Sequence, residues 1–264
     1  MTIDQTTHSW ALVTGATSGI GKSYALLLAH EGYNIVLTGR REQLLHGVAE
    51  EISHIGKQTK LLIGDLTEVK VLEQLINLVK DLKLEWIVNN AGFGTDAPFF
   101  SEQPQAIGSM IELHTRVPVE ICRSLIPQMM ENSRGFVVNV SSLASQFPLP
   151  GTLVYTSTKA MLHHFTLSLS LELNASGVRV QSFLPGFTHT DFHDRLSNFH
   201  HERRTRGIVQ WQHADDAVRS SYNAITSRRW KNITHVPGWR NHLLKLTGKL
   251  PFWLYRIIAL RVQK

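Results

Sequence analysis

A single cysteine in 264 residues, Cys122, excludes an internal disulfide. No apolar run reaches the roughly 20 residues that a membrane-crossing helix needs. The opening MTIDQTTHSW lacks the basic-then-apolar order of a signal peptide. Together these absences lead us to expect a protein of the reducing cytoplasm. Acid is missing from one end, since no Asp or Glu follows Asp216. Residues 201–264 hold 13 Lys+Arg against 3 Asp+Glu, a net +10. The preceding 200 hold 27 − 13 = 14 against 21 − 3 = 18, a net −4. A basic end of this kind is either a solvated terminus or a surface for an anionic partner such as a lipid surface, a nucleic acid or an acidic substrate. Nucleic acid is not expected, because no recognition motif accompanies the charge.

What is present is alternation. Short apolar runs at Trp10–Thr14, Tyr33–Thr38, Lys60–Gly64, Glu85–Asn89, Gly135–Val140 and Val178–Leu184, with a weaker one at Ile233–Val236, are separated by longer amphipathic stretches. That order implies parallel strands joined by crossover helices. The expected fold is therefore α/β: a Rossmann-type, doubly wound parallel sheet of about seven strands flanked by helices, in one domain spanning residues 1–264. There are no repeats, linkers or low-complexity segments. Two helical stretches, Pro104–Met130 and Leu153–Ser176, are long enough to pair subunits, so a homodimer or homotetramer is expected.

Between the first strand and the first helix lies Thr14-Gly15-Ala16-Thr17-Ser18-Gly19-Ile20-Gly21. Glycines here allow a tight turn and close approach to a pyrophosphate, and the helix that begins there directs its free N–H groups at the phosphates. The second strand ends in Thr38-Gly39-Arg40-Arg41, with no acid before Glu42. A carboxylate at this point would select the 2′-hydroxyl of NAD, whereas guanidinium groups suit the 2′-phosphate of NADP. The expected cofactor is NADP(H).

Tyr155 and Lys159 form YTSTK, with Ser142 thirteen residues upstream. Residues four apart share a helix face. A phenol ionises near ~10, and an ammonium at ~4 Å interacts with its phenolate by ~4 kcal/mol at an effective dielectric of about 20. The pair therefore describes a proton donor activated by its neighbour, although a chain with five tyrosines meets this spacing by chance often enough that the pair alone decides little.

With TGATSGIG at 14–21, Asp65 in GDLTE, NNAG at 89–92, Ser142 in NVSS, YTSTK at 155–159 and PGFTHT at 185–190, the chain resembles the short-chain dehydrogenase/reductase family over nearly its whole length. The resemblance implies a cofactor held by Gly15, Thr17, Ser18, Gly19, Ile20, Gly21, Arg40 and Arg41, by Asp65 and Leu66 at the adenine, by Asn90, Ala91 and Gly92, by Tyr155 and Lys159, and by Pro185, Gly186, Thr188 and Thr190 at the nicotinamide. It implies hydride exchange between that cofactor and a carbonyl or secondary alcohol, with Tyr155 as acid or base, Lys159 lowering its pKa, and Ser142 steadying the substrate oxygen. Ser141 is a rival that strand alternation would point the other way. An NADP-binding regulator and an isomerase or dehydratase on the same scaffold are the alternatives.

One position departs from the family pattern. Where the family places an asparagine whose backbone carbonyl holds a relay water, IELHTRVPVEIC offers His114. The imidazole either takes part in proton relay or merely packs in the helix. Phe93, Phe147, Pro148, Leu149 and FTHTDFHDRLSNF (187–199) would surround the nicotinamide, and a lid at about 187–212 is expected, giving an apolar pocket for a small hydrophobic carbonyl or alcohol. His189 and His193 lack a third ligand at suitable spacing, and no metal is expected. The basic, aromatic tail, about 238–264, would either pack within an oligomer or adsorb weakly to a membrane surface.

Overall fold

The structure, a computed structural model, describes residues 9–95, 97–194, 211–248 and 250–256, without the side chains of residues 193 and 194. Residues 195–210 of the expected lid and 257–264 of the tail lie outside the described residues.

The apolar runs become parallel strands: β1 (Trp10–Thr14), β2 (Asn34–Gly39), β3 (Thr59–Ile63), β4 (Leu84–Asn89), β5 (Gly135–Val140), β6 (Val178–Phe183) and, further on, β9 (Thr234–His235). They form one sheet in the order β3-β2-β1-β4-β5-β6-β9. Every pairing is parallel, from Trp10 opposite Asn34 to Phe183 opposite His235. β7 (Thr188–His189) and β8 (Gln212–His213) make a separate two-stranded pair. β1, β2 and β4 are almost wholly buried, which is why they read as continuous Val/Ile/Leu runs rather than alternating ones.

Helices cover both faces. α1 (Gly19–His30), α2 (Glu42–His54) and α8 (Ala214–Thr226) pack through Tyr24, Leu28, Leu45, Ile52, Val218 and Ile225. On the opposite face, α3 (Val69–Val79), α5 (Val117–Glu131) and α6 (Leu153–Glu172) bring in Leu72, Leu75, Ile121, Leu125, Phe165 and Leu169. α4 (Pro104–Ile111), the short α7 (Asp191–Asp194) and α9 (Trp239–Thr247) lie outside these two layers, and residues 252–256 are also helical. Gly32, at φ 104°, ends α1 in the left-handed conformation that glycine adopts without strain.

The stretch expected as one helix, Pro104–Met130, contains an interruption. Between α4 and α5 the chain makes a π turn, Glu112–Arg116, in which the Val117 N–H bonds to the Glu112 carbonyl. Pro118 supplies a cause: it has no N–H to offer the His114 carbonyl four residues back, and in α geometry its ring would press on that carbonyl. The helix widens instead. Strand order reverses between β1 and β4, and in such sheets the crevice beyond the carboxyl ends of those strands is where ligands bind.

Candidate active site and dinucleotide cleft

Beyond β1, Gly15 (φ 66°) and Gly19 (φ 54°) hold the turn in conformations that L side chains rarely adopt. A Cβ at Gly21 would lie 2.3 Å from the Gly15 carbonyl oxygen, and one at Gly15 would lie 2.8 Å from the Ala91 Cα. Thr14, part of the turn motif but given no role in the sequence expectations, joins the turn to β4: its hydroxyl accepts from the Asn90 N–H (2.9 Å) and the Ala91 N–H (3.0 Å). The Asn90 side chain returns the tie, donating to the Thr14 (2.9 Å) and Gly15 (3.1 Å) carbonyls. The first turn of α1 has no acidic residue and Ser18 provides no side-chain cap, so its N–H groups remain available to an anion. Ile20, by contrast, packs against the core.

Both arginines at the end of β2 engage carboxylates. Arg40 donates to Asp65 (3.0 Å). Asp65 also accepts from the Thr67 N–H (3.0 Å) and hydroxyl (2.8 Å); burial opposes ionisation, but these bonds and Arg40 hold the carboxyl below its usual range. Leu66 is buried beside it. Arg41 donates to the Thr17 hydroxyl (3.1 and 2.6 Å), the Ser18 hydroxyl (2.6 Å) and Asp191 (2.9 Å). A closely approachable glycine turn, an uncapped helix start and a guanidinium over two hydroxyls fit a 2′-phosphorylated dinucleotide.

At the far end of the cleft, Ser142 stands close enough to Tyr155 to favour its ionised form, and the Ser142 oxygen accepts from the Ala144 N–H (3.1 Å). Ser141 points elsewhere, donating to the Lys159 carbonyl (2.7 Å). Lys159 departs from expectation. Its ammonium donates to the Val140 carbonyl (2.9 Å) and stands 6.0 Å from the centre of the Tyr155 ring. Burial pushes its pKa down to about 8. Tyr155 keeps a partly accessible edge, yet desolvation raises its pKa above the ordinary value, with the nearby Ser142 a smaller opposing influence. The expected depression of the phenol is therefore reversed among the chain's own groups: loss of water outweighs an ammonium committed to a carbonyl.

His114, 1% exposed, lies behind the pair. Its Nε2 accepts from the Phe93 N–H (3.1 Å), while Nδ1 meets the Thr158 hydroxyl (2.9 Å), which itself donates to the Tyr155 carbonyl (2.9 Å). Since Phe93 can only donate and the Thr158 proton is already used, the imidazole carries its hydrogen on Nδ1. Burial, and then Lys159, hold its pKa well below the ordinary value. A Cβ at Gly92 would touch Nε2 at 2.8 Å and Lys159 Nζ at 3.4 Å, so NNAG, His114 and Lys159 are packed together.

Aromatic rings converge on this end: Tyr155 faces Phe192 (5.5 Å between centroids) and His114 (5.8 Å), which faces Phe93 (6.0 Å). Phe147, on the turn after Ser142, stacks with Tyr255 of the C-terminal segment. The Pro185 carbonyl accepts from the Leu143 N–H (2.9 Å), and Thr188, in β7, bonds back to the Gly186 carbonyl (3.0 Å). Thr190 abuts Gly19, where a Cβ would meet its Cγ2 at 2.7 Å. The His189 ring lies tilted against those of Trp211 and His213, while the side chain of His193 lies outside the described residues.

A serine–tyrosine–lysine constellation at one end of a dinucleotide crevice defines an oxidoreductase that exchanges C=O for CH–OH. Residues 9–200 match the family model described as short chain dehydrogenase, and the chain belongs to that family. It is 32% identical over 258 residues to the very-long-chain 3-oxoacyl-CoA reductase of Bos taurus, covering 95% of this chain and 78% of that protein. Against very-long-chain 3-oxoacyl-CoA reductase-A of Danio rerio identity is 34% over 186 residues, covering 69% of this chain and 58% of that protein. A solved short-chain dehydrogenase from Sphingobium yanoikuyae in complex with NADPH superposes with a TM-score of 0.79 at 26% identity, covering 88% of each chain.

Proposed function

We propose that this protein is an NADP(H)-dependent reductase of hydrophobic ketones, with 3-oxoacyl thioesters as the substrate class. The observation that carries the reading is the Ser142–Tyr155 pair beneath the Phe192 ring. NADPH would supply hydride to the carbonyl carbon; the chain's residues manage the oxygen. Ser142 donates to the substrate oxygen and stabilises charge as it develops, and Tyr155 passes its proton to that oxygen, leaving an alcohol and a phenolate to be reprotonated. At neutral pH the phenol holds its proton, the state that a proton donor in reduction requires. His114 is read as a positioning residue, because both nitrogens are engaged and the ring stays neutral; it fixes the Phe93 loop to the turn of α6 that carries Tyr155. Nothing in the site favours a regulator without turnover or an isomerase.

Support for the substrate class comes from the relatives; the hollow next to the chain segment that leads into Tyr155 is of mixed character, with Ala97, Phe99, Pro150, Leu153 and Val154 beside Thr95 and Glu102. The test is NADPH oxidation with 3-oxoacyl-CoA of increasing chain length, beside short polar ketones and with NADH as control. Rising kcat/KM with chain length is expected; equal or better turnover of polar ketones sinks the substrate class.

The tail supports a second, compatible reading: peripheral contact with an anionic membrane surface. Trp239, Leu243 and Leu246 recur at i, i+4 and i+7 along α9 and all face solvent, as do Phe252 and Trp253, with Arg240 and Arg256 beside them. None of the described helices is long and apolar enough to cross a membrane. Sedimentation with anionic vesicles, lost when Trp239, Phe252 and Trp253 become serine, is the expected result; equal binding refutes it. Exposed Met130, Met161 and Leu171 of α5 and α6 support the homo-oligomer expectation, and light scattering tests it.

A further inference from the structure

Arg41 reaches from the end of β2 to the first residue of α7, 150 positions away in the chain. Its Nε and Nη2 lie on the Thr17 and Ser18 hydroxyls, and its Nη1 lies on Asp191. The other arginine is placed differently. Arg40 meets Asp65, a carboxylate already fixed by the Thr67 N–H and hydroxyl, whereas Asp191 approaches from a segment that crosses the cleft. Immediately before it, Thr190 lies against Gly19; immediately after it, the Phe192 ring lies against Tyr155 and covers Gly94, where a Cβ would be 2.8 Å from Cζ. The Arg41–Asp191 pair thus stands where the phosphate-binding end and the proton-donating end of the site meet.

An added dianion on Thr17, Ser18 and Arg41 would be brought beside the Asp191 carboxylate. Like charges at such range disfavour one another, and Arg41 would gain a doubly charged partner in place of a singly charged one. Resting on the reading that Arg41 receives the 2′-phosphate, we propose that Asp191 is a specificity-determining residue: an internal carboxylate on Arg41 that the 2′-phosphate of NADP(H) displaces and that a dinucleotide without this phosphate leaves in place. In affinity the carboxylate opposes the 2′-phosphate and so tempers the preference for NADP(H). The 2′-phosphate gains the guanidinium, and it also loosens the hold on the residue next to Phe192, whereas NAD(H) does neither. The side chains of Arg41 and Asp191 are 33% and 48% exposed, so the pair is weak enough to exchange, worth a factor of about two to five in an equilibrium constant.

The test is equilibrium binding of the intact protein to 2′,5′-ADP, ADP, NADPH and NADH, measured by calorimetry for wild type, Asp191→Asn and Arg41→Ala, with thermal melts confirming the fold of each. Asp191→Asn should tighten 2′,5′-ADP and NADPH about two- to fivefold and leave ADP and NADH unchanged. A second readout is Phe192→Trp fluorescence: it should respond to 2′,5′-ADP and not to ADP, and Asp191→Asn should remove most of the response. Asp191 is instead a positioning residue, and the proposal is overturned, if Asp191→Asn weakens 2′,5′-ADP. Unchanged affinities, or equal tightening of ligands with and without the 2′-phosphate, overturn it as well. Failure of the underlying reading is visible separately, as Arg41→Ala binding 2′,5′-ADP as tightly as wild type.

Discussion

Acidification from pH 7.5 to 5 should destabilise this protein through three histidines that the fold keeps neutral. Burial, with Lys159 adding to it, holds His114 well below the ordinary value; burial, then Lys245 and His164, pushes His163 down to about 4; burial, then His242, pushes His235 down to about 4. In the unfolded chain each takes up a proton near pH ~6.5. The unfolded state therefore binds more protons below that pH, and the stability contributed by each neutral histidine is complete above ~6.5 and is lost as pH falls toward the folded values. Each fully buried group contributes a slope of ~1.4 kcal/mol per pH unit. His163 and His235 retain partial solvent contact, and halving their shares leaves ~3 kcal/mol per unit for the three together. Between pH 6.5 and 5 the loss is then ~4 kcal/mol, a large part of a typical domain stability of about 5–15 kcal/mol. Urea denaturation followed by circular dichroism at pH 7.5, 6.5, 5.5 and 5.0 measures it. His114→Gln should lower the slope by about one proton. A wild-type stability that is flat across this range, or a slope unaltered in His114→Gln, refutes the reasoning.

Tyr155→Phe should cut kcat on the order of 10²–10⁴-fold, the usual contribution of a positioned proton donor, while NADPH still binds; wild-type turnover removes the tyrosine from the chemistry. Ser142→Ala should cost about 10²–10³ in kcat, more than it changes KM, in steady-state kinetics. Arg41→Ala should raise the Kd for NADPH by roughly 10- to 100-fold, the worth of a charge-assisted hydrogen bond, with little change for NADH in fluorescence titration. Gly21→Ala would drive a methyl against the Gly15 carbonyl, costing about 1–3 kcal/mol and lowering Tm by roughly 5 °C in a thermal melt.

Much of the architecture was legible in the sequence because the strands are buried on both faces. Trp10–Thr14 and Gly135–Val140 coincide with β1 and β5, and other strand boundaries shift by a residue or two. The glycine turn was readable for a similar reason, since its demands on backbone conformation admit few other residues. The π turn was not read: hydrophobic periodicity reports a helix and is blind to one residue of added width, although Pro118, four places after His114, carried the signal. The roles of Thr14 and Thr158 were missed because a hydroxyl joining distant segments leaves no local pattern. The Tyr155 shift ran opposite to expectation because spacing along a helix gives proximity, whereas the Val140 carbonyl that takes the Lys159 ammonium comes from β5, outside that helix. Asp191 pairs with a residue 150 positions away, a separation at which sequence offers no cue without the fold.

The widened turn at Glu112–Arg116 also has a rotational meaning. One residue of α-helix subtends ~100°, so an extra residue resets the angular phase of everything beyond it. The apolar stripe of α4 and that of α5 need not be collinear: one end of a single continuous rod can address the cleft while the other lies flat on the sheet. Removing one residue between 112 and 116 would regularise the rod and turn its two halves by about a quarter-turn relative to each other. Here, helical regularity and a working orientation of both ends are competing demands, and the chain has settled them by miscounting once.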